Sequence, residues 1–215
     1  MSDIFVDKLR ELETGMITDA MNLIGVSGWM KDLAPVNPEH KICGRAFTMQ
    51  FTTEGNPDAK AYSIYEVLDL VRPGDVLVLA TNDCQNAIIG ENVSHSAQRQ
   101  GAAGIIVDGK IRDTGTVKTM DMPVFSKGSA IQFMPKNFKL TAHSVPVMCG
   151  GTAVYPGDYI VGDIDGIIAL SKECAEEVIL KAEKIAVIEK EMEVAIESGK
   201  SMQECLAVIS KKKHV

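Results

Sequence analysis

Residues 90–113 have the sequence GENVSHSAQRQGAAGIIVDGKIRD, and this stretch decides both the predicted fold and the predicted site. Glu91 opens a polar segment that we predict to be helical, because the helix dipole favours an acid in the first turn. The apolar run at 105–107 predicts a buried strand. Arg112 and Asp113 are therefore expected on a loop just beyond the end of that strand.

The Arg–Asp pair offers a cation and a carboxylate side by side. A carboxylate such as Asp113 can bind Mg²⁺ or Mn²⁺ with water in the other positions, and Arg112 can bind a substrate carboxylate through a two-pronged contact. The pair also fits an ordinary ion pair after a tight Asp108-Gly109 turn, or an N-cap for the segment from Thr114. Both interpretations agree with the spacing.

Glu91 likewise has two interpretations. An acid at a helix start contributes about 0.3–1 kcal/mol through the helix dipole, which makes a purely structural role sufficient. Alternatively, the amides of Glu91, Asn92 and Val93 bind an anion, while the Glu91 carboxylate acts as a base or holds a metal-bound water. His95 follows, but ENVSH lacks the second histidine of a zinc-binding HExxH motif.

The segments before this stretch predict two helices and then a strand. An opening helix capped by Ser2 ends near Thr14-Gly15, and a second helix begins at Thr18 and stops at Gly25. The segment KICGRAFTMQF at 41–51 is rich in residues that favour strands.

A third helix and a second strand are predicted next. Asn56-Pro57 is typical of a cap followed by proline at the first helical position. The predicted buried face of this helix comprises Ala61, Ile64, Tyr65 and Leu68. VLVLA at 76–80 is short and apolar enough to be a buried strand.

The C-terminal half predicts further strands and a long helix. The predicted strands lie in 122–128, 138–147, 159–162 and 166–170. The helix spans 171–199, with Ser171 as its cap and Gly199 as its stop, and a short helical and basic tail occupies 200–215. The apolar stripe of the long helix comprises Val178, Ala182, Ile185, Ile188, Met192 and Ile196.

These elements predict an α/β fold, a single layered domain over residues 1–215 with mixed β-sheets and a long C-terminal helix. Turns rather than helices connect several of the predicted strands. This arrangement argues against a strictly doubly wound βαβ sheet.

Composition excludes several classes of function. A net charge of −7 and a pI near 5.2 argue against a nucleic-acid-binding surface, which needs a basic face. No apolar run approaches the length of a membrane span, and the N-terminus does not resemble a signal peptide. The five scattered cysteines are typical of reduced thiols, so we expect a cytoplasmic protein.

Several segments together resemble one protein family over nearly the whole chain. They are residues 90–113, MPVFSKG, TDAMNLIG near the start and YPGDYIVGDIDGIIAL near the end. This combination is similar to the 4-hydroxy-4-methyl-2-oxoglutarate aldolase family, also called RraA-like after its ribonuclease-E-inhibitor members. Its most specific part is G-E/D-N followed by the Arg-Asp pair, with Arg112 placed 112 − 91 = 21 residues after Glu91.

The resemblance implies a fold, an assembly and a set of site residues. The fold is of the swivelling β/β/α type, and the assembly is a homotrimer or homohexamer with interfacial active sites. Asp113 would be the direct ligand of a divalent metal, Mg²⁺ or Mn²⁺, and Arg112 would hold the pyruvyl group. The backbone at Gly90, Glu91, Asn92 and Val93 would receive the substrate carboxylate, with Glu91 near the group that changes protonation and Asp108 in a supporting position.

The resemblance also implies a reaction. The protein would be a class II pyruvate aldolase, a carbon–carbon lyase that cleaves 4-hydroxy-2-oxo dicarboxylic acids such as 4-hydroxy-4-methyl-2-oxoglutarate to pyruvate. Oxaloacetate decarboxylation is an expected side activity, because loss of CO₂ leaves the same enolate. The alternative is an RraA-type regulator of a ribonuclease with no catalysis. A neighbouring subunit could supply a further acid, and Glu189, Glu193 and Glu197 are candidates that a solvated helix face explains equally well.

Overall fold

The computed structural model describes residues 3–53 and 61–215. The predicted caps at Ser2 and at Asn56-Pro57 lie outside the described residues. The chain divides into two compact units, one formed by residues 28–172 and the other by residues 1–27 together with 173–215.

Helices occur in both units. In the unit of residues 28–172 they are α3 (Ile64–Leu68), α4 (Glu91–Arg99) and α5 (Thr114–Val117). The other unit contains α1 (Ile4–Arg10), α2 (Thr14–Leu23), α6 (Ala175–Glu197) and α7 (Met202–Ile209), followed by a 3₁₀ turn at Ser210–His214. No helix in the described part of the chain is both long and apolar enough to cross a membrane.

The strands all belong to the unit of residues 28–172. They are β1 (Trp29–Met30), β2 (Ala34–Pro35), β3 (Ile42–Thr53), β4 (Asp75–Ile89), β5 (Gly104–Ile111), β6 (Val124–Ser126), β7 (Phe138–His143), β8 (Val147–Cys149), β9 (Thr152–Val154), β10 (Tyr159–Gly162) and β11 (Ile167–Leu170). Nine of those described form one sheet in the order β1-β11-β10-β3-β4-β5-β6-β2, with β7 also paired to β3.

The centre of the sheet is parallel and its flanks are antiparallel. Strands β3, β4, β5 and β6 run parallel, whereas β10 and β7 pair with β3 in the antiparallel sense. Strands β8 and β9 form a separate antiparallel pair. The predicted α/β fold with mixed sheets and a C-terminal helix is therefore confirmed.

Alternating side chains of β5 enter two different cores. Ile105 and Val107 belong to a core that also contains Ala97 of α4, while Ile106 belongs to a core on the other face with Cys149 of β8. This alternation follows from strand geometry, in which successive side chains point to opposite faces. It buries β5 on both sides and fixes the position of its C-terminal end.

The predicted turn at Asp108-Gly109 is wrong. Strand β5 continues through both residues to Ile111, because β4 extends alongside it and pairs at Cys84 and Ala87. A side chain at Gly109 would crowd Thr81 and the backbone of Cys84, so this glycine allows close approach of the two strands rather than a turn. Arg112 and Asp113 nevertheless follow a strand end directly, as predicted.

Three predicted helix boundaries are also wrong. Helix α1 ends at Arg10 rather than near Thr14-Gly15, because Thr14 is already the first residue of the next helix. Helix α2 begins at Thr14 rather than at Thr18, whose hydroxyl donates back to the Thr14 carbonyl at 2.7 Å. Its stop is confirmed, because Gly25 adopts a positive φ of 72°. Helix α3 begins at Ile64, where the Glu66 carboxylate accepts from the Ser63 N–H.

The predicted buried faces of α3 and α6 need correction. Ala61 is exposed and lies before the start of α3. In α3, Tyr65 is 50% exposed and Val67 is buried instead. In α6 the stripe is confirmed from Val178 to Ile188, after which Ala195 rather than Ile196 is buried. The helix begins at Ala175, slightly later than predicted, and α7 confirms the short helix after it.

Candidate functional site

The start of α4 and the end of β5 lie next to each other because β4 connects directly to α4. Strand β4 ends at Ile89, Gly90 occupies the N-cap position, and α4 begins at Glu91. The Arg112 N–H donates to the Ile89 carbonyl at 3.0 Å, which holds the end of β5 against the end of β4. Residues separated by 21 positions in sequence (112 − 91) are therefore neighbours in space.

The Asp113 carboxylate points to the start of α4. Its Oδ2 accepts a hydrogen bond from the Glu91 N–H at 3.2 Å and lies 3.6 Å from Arg112 Nε. Asp113 occupies the N-cap position of α5 with a left-handed φ of 56°, but its side chain makes no capping hydrogen bond there. The capping alternative therefore does not describe this side chain, whereas a loose ion pair with Arg112 is present.

Gly90 makes the approach of Asp113 possible. A Cβ atom at this position would overlap Asp113 Oδ2 and lie 3.0 Å from Arg112 Cγ. The Gly90 carbonyl accepts from both the N–H and the hydroxyl of Ser94, at 3.2 and 3.0 Å. The start of α4 is thus fixed by its own first turn, while the missing side chain leaves space for the carboxylate.

Arg112 contacts an aromatic ring that sequence reasoning missed. The guanidinium carbon lies 5.1 Å from the centroid of Phe133, within the range of a cation–π contact. Phe133 is held beside Ala87 of β4, whose N–H donates to the Gln132 carbonyl at 2.8 Å. The local sequence around Phe133 carries no periodic pattern, so only this non-local pairing places the ring at the site.

The predicted site residues share one cavity of about 160 Å³, except Glu91 and Asp108. Its polar lining comes from Gly90, Asn92, Arg112 and Asp113. Its aromatic and aliphatic lining comes from Phe51, Ile64, Tyr65, Ile88, Ile89, Val93, Phe133 and Met134. The side chain of Glu91 is half-buried and does not line this cavity.

Metal binding at this cavity would depend on few protein ligands. Residues 3–53 and 61–215 contain no cluster of three or more His, Cys, Asp and Glu side chains that could hold a metal ion. Oδ1 of Asp113 makes no hydrogen bond within the described structure and is available as a ligand. One carboxylate oxygen with water or substrate oxygens in the other positions fits Mg²⁺ or Mn²⁺ and does not fit a structural zinc site.

Asp108 lies apart from this cavity. It follows Ile106 on the face of β5 opposite the cavity, and its carboxylate pairs with the Lys127 ammonium group at 2.8 Å. Burial lowers the pKa of Lys127, but Asp108 and Asp83 raise it by more, so the net shift is upward. The pKa of the nearby Cys149 thiol is also raised, mainly because the thiol is buried and to a smaller extent because the Asp108 carboxylate is close. This thiol therefore stays protonated and unreactive.

The chain matches a family of known proteins over most of its length. Residues 14–169 match the sequence model of the RraA-like family, described as Aldolase/RraA. A protein of Halalkalibacterium halodurans, provisionally named 4-hydroxy-4-methyl-2-oxoglutarate aldolase, is 36% identical over 181 residues, which are 84% of this chain and 82% of that protein.

Two solved structures have a similar fold over most of this chain. An uncharacterised protein from Pseudomonas syringae has a TM-score of 0.85 at 27% identity, covering 95% of this chain and 98% of its own. RraAS2 of Streptomyces coelicolor, described as an unusual member of the RNase ES inhibitor RraA protein family, has a TM-score of 0.80 at 27% identity, covering 88% and 96%. With the family match spanning residues 14–169, the chain belongs to the RraA-like family.

Proposed function

We propose that this protein is a divalent-metal-dependent aldolase that cleaves 4-hydroxy-2-oxo acids and releases pyruvate. The dicarboxylic substrate 4-hydroxy-4-methyl-2-oxoglutarate, which gives several relatives their provisional name, is the first to test. The observation that carries the proposal is the meeting of Arg112, Asp113 and the start of α4 on one cavity. A regulator that acts only by binding another protein has no need of this combination.

The proposed metal is Mg²⁺ or Mn²⁺, held by Asp113 and water. When bound, it would supply Lewis-acid chemistry to the keto and carboxylate oxygens of the pyruvyl group. The Glu91 N–H, which donates to Asp113 Oδ2, would keep that carboxylate oriented.

The other proposed roles belong to groups around the cavity. Arg112 would bind the pyruvyl carboxylate and stabilise negative charge as it develops on the keto oxygen. The amides of Asn92 and Val93, in a first helical turn where N–H groups lack intrahelical acceptors, would donate to the same carboxylate. Because its side chain lies outside the cavity lining, Glu91 would accept the proton of the C4 hydroxyl through an intervening water.

The reaction balances without a redox partner. The C4 hydroxyl loses its proton, the C3–C4 bond breaks, and C4 becomes the carbonyl carbon of the second product. The electron pair of that bond passes to the pyruvyl fragment as an enolate, and protonation at C3 gives pyruvate. Loss of CO₂ from oxaloacetate leaves the same enolate, so we propose oxaloacetate decarboxylation as a side activity.

A pyruvate-release assay tests the proposal. The purified protein is incubated with 4-hydroxy-4-methyl-2-oxoglutarate, its 4-hydroxy-2-oxo analogues or oxaloacetate, with added Mg²⁺ or Mn²⁺ and separately with EDTA. We expect release that requires metal and stops with EDTA. If no compound releases pyruvate faster than in a protein-free control with the same metal, which alone decarboxylates oxaloacetate, the aldolase proposal is rejected, and the ribonuclease-regulator alternative is tested next by measuring ribonuclease activity with the protein added.

Assembly and location complete the proposal. We propose a homotrimer or homohexamer with interfacial active sites, which the family resemblance supports and which the molar mass in solution tests. The proposed location is the cytoplasm, and the scattered spacing of the five cysteines supports it.

Arg112→Lys tests the two-pronged contact. Lysine keeps the positive charge but loses the planar fork and its contact with Phe133, so we expect kcat/KM to fall about 100-fold, equivalent to about 2.7 kcal/mol. The unfolding midpoint should stay close to wild type, because the Arg112 side chain is 45% exposed. Wild-type kinetics in this variant would contradict the role of Arg112.

Gly90→Ala tests the space reserved for the carboxylate. The added methyl group must push Asp113 away from the Glu91 N–H, so we expect weaker metal binding and at least a tenfold loss of activity in a folded protein. Gly115→Ala is the matched control, because a Cβ atom there meets no atom within 4 Å. Equal metal affinity in the two variants would show that the approach of Asp113 to Gly90 does not matter.

A further inference from the structure

A strap of residues 127–134 follows strand β5 to its C-terminal end. The Ile111 N–H donates to the Gly128 carbonyl at 3.1 Å, and the Ile111 carbonyl accepts from the Ala130 N–H at 2.9 Å. Both backbone polar groups of the last residue of β5 are therefore bonded to the strap. Because Arg112 is the next residue along the chain, the strap is fixed directly beside it.

The strap then reaches strand β4 and is held there by a second pair of backbone hydrogen bonds. The Ala87 N–H donates to the Gln132 carbonyl at 2.8 Å, and the Ala87 carbonyl accepts from the Met134 N–H at 3.0 Å. These bonds bracket Phe133, which forms a parallel β-bridge with Ala87. The backbone that carries the Phe133 ring is thus fixed on both sides, although the ring itself is 46% exposed.

The guanidinium group of Arg112 has two attractive contacts. Its carbon lies over the Phe133 ring, 5.1 Å from the ring centroid. Its Nε atom lies 3.6 Å from Oδ2 of Asp113. The face of an aromatic ring carries partial negative charge and the carboxylate carries a full one, so both attract the cation.

These contacts matter because the Arg112 side chain is half exposed and packing alone does not hold its end in one place. A long cationic side chain that moves freely loses rotamer entropy when a bound ligand fixes it. A side chain that is already held when the ligand arrives loses less entropy, so the ligand binds more tightly. The fixed strap therefore provides a means of ordering this cation in advance.

We propose that Phe133 is a positioning residue, which holds the guanidinium group of Arg112 by a cation–π contact in readiness for the carboxylate of a 2-oxo acid. This inference rests on the proposed function for the identity of the ligand. The ring acts through Arg112, whereas Arg112 itself makes the contact with the carboxylate.

Fluorination of the Phe133 ring tests this role with little change in side-chain size. Phenylalanine with one, two or three ring fluorines is incorporated at position 133, and each fluorine withdraws electron density from the ring face. We expect the dissociation constant of pyruvate, measured by titration calorimetry with Mg²⁺, to rise in steps to about fivefold with three fluorines. That factor corresponds to about 1 kcal/mol, the usual strength of a cation–π contact at an exposed site.

The direction of the trend distinguishes three roles of the ring. A ring that only fills space would give no trend, because its volume hardly changes. A ring that touched the pyruvate carboxylate would give a falling dissociation constant, because fluorination reduces the repulsion between the ring face and an anion. Fluorination of Phe125, which is buried in the core on the opposite face of the sheet, is the matched control and should leave pyruvate binding unchanged.

A double-mutant cycle between Phe133 and Arg112 tests the contact without any ligand. Phe133→Leu, Arg112→Met and the double variant are compared with the wild type by urea denaturation at one protein concentration. Because the ring attracts the guanidinium group, we expect the two changes to be non-additive, by about fivefold in the unfolding equilibrium constant. Additive changes would mean that the two side chains do not interact.

The outcomes separate this inference from the proposed function. Additivity in the cycle, or a pyruvate dissociation constant that stays constant or falls along the fluorine series, would overturn the role of Phe133 even when the wild type releases pyruvate. Coupling in the cycle and a rising dissociation constant, with no pyruvate release from any 4-hydroxy-2-oxo acid, would retain the positioning role and reject the aldolase. A wild type that binds no pyruvate rejects both.

Discussion

Asp113→Ala is expected to abolish metal-dependent pyruvate release, with kcat/KM reduced about 1000-fold or more. Asp113 is the one protein ligand that we propose for the metal, so its loss removes the ion rather than weakening one of several contacts. The fold should tolerate the change, because the side chain is 39% exposed and gives up only a hydrogen bond from Glu91 and a loose contact with Arg112. Steady-state kinetics and calorimetric titration with Mn²⁺ measure the two effects.

Asp121→Ala is the control for charge. Asp121 is exposed and lies outside the cavity lining, so this variant changes the net charge equally and should keep wild-type activity and metal affinity. Retained metal affinity in Asp113→Ala would exclude Asp113 as the ligand. Lost activity with retained affinity would move Asp113 from metal binding to substrate orientation.

The parts of this site that the sequence predicted depend on local structure. The helix start at Glu91 and the strand through 105–107 each follow from neighbouring residues, and Arg112 and Asp113 are placed by that strand. Their meeting needs only that two consecutive parallel strands end at the same edge of the sheet. A short stretch therefore contained most of the information about the polar lining of the cavity.

The aromatic and aliphatic lining of the cavity could not be predicted in the same way. Phe51, Phe133 and Met134 come from distant segments, and their shared position depends on pairing across the sheet and beside Ala87. The Asp108-Gly109 turn was wrong for a related reason, because a local turn signal is overridden when a neighbouring strand supplies partners for the backbone. The position of these side chains thus rests on contacts that no local pattern reveals.

Lys127→Met is expected to lower the free energy of unfolding by about 3–5 kcal/mol, because it leaves the buried Asp108 carboxylate without its cation. The Asp108 and Lys127 side chains are only 8% and 16% exposed, so solvent cannot replace the lost partner. Asp83, which also contacts Lys127 at 3.4 Å, is 59% exposed and stays hydrated. Urea denaturation at pH 7 measures the loss.

A double variant separates the ion pair from packing. Lys127→Met with Asp108→Leu removes both charges, and we expect it to recover most of the lost stability, since a buried pair replaced by apolar groups is often neutral. Because the folded pKa of Lys127 is raised above 10.5, the contribution of the pair should be unchanged from neutral pH up to about 10.5 and decline above it as the lysine loses its proton. A double variant as unstable as Lys127→Met would mean that the lysine chain, and not the charge on Asp108, supports this face of the sheet. Pyruvate release by the folded double variant should remain near wild type, because the pair lies on the face of β5 opposite the Arg112 cavity.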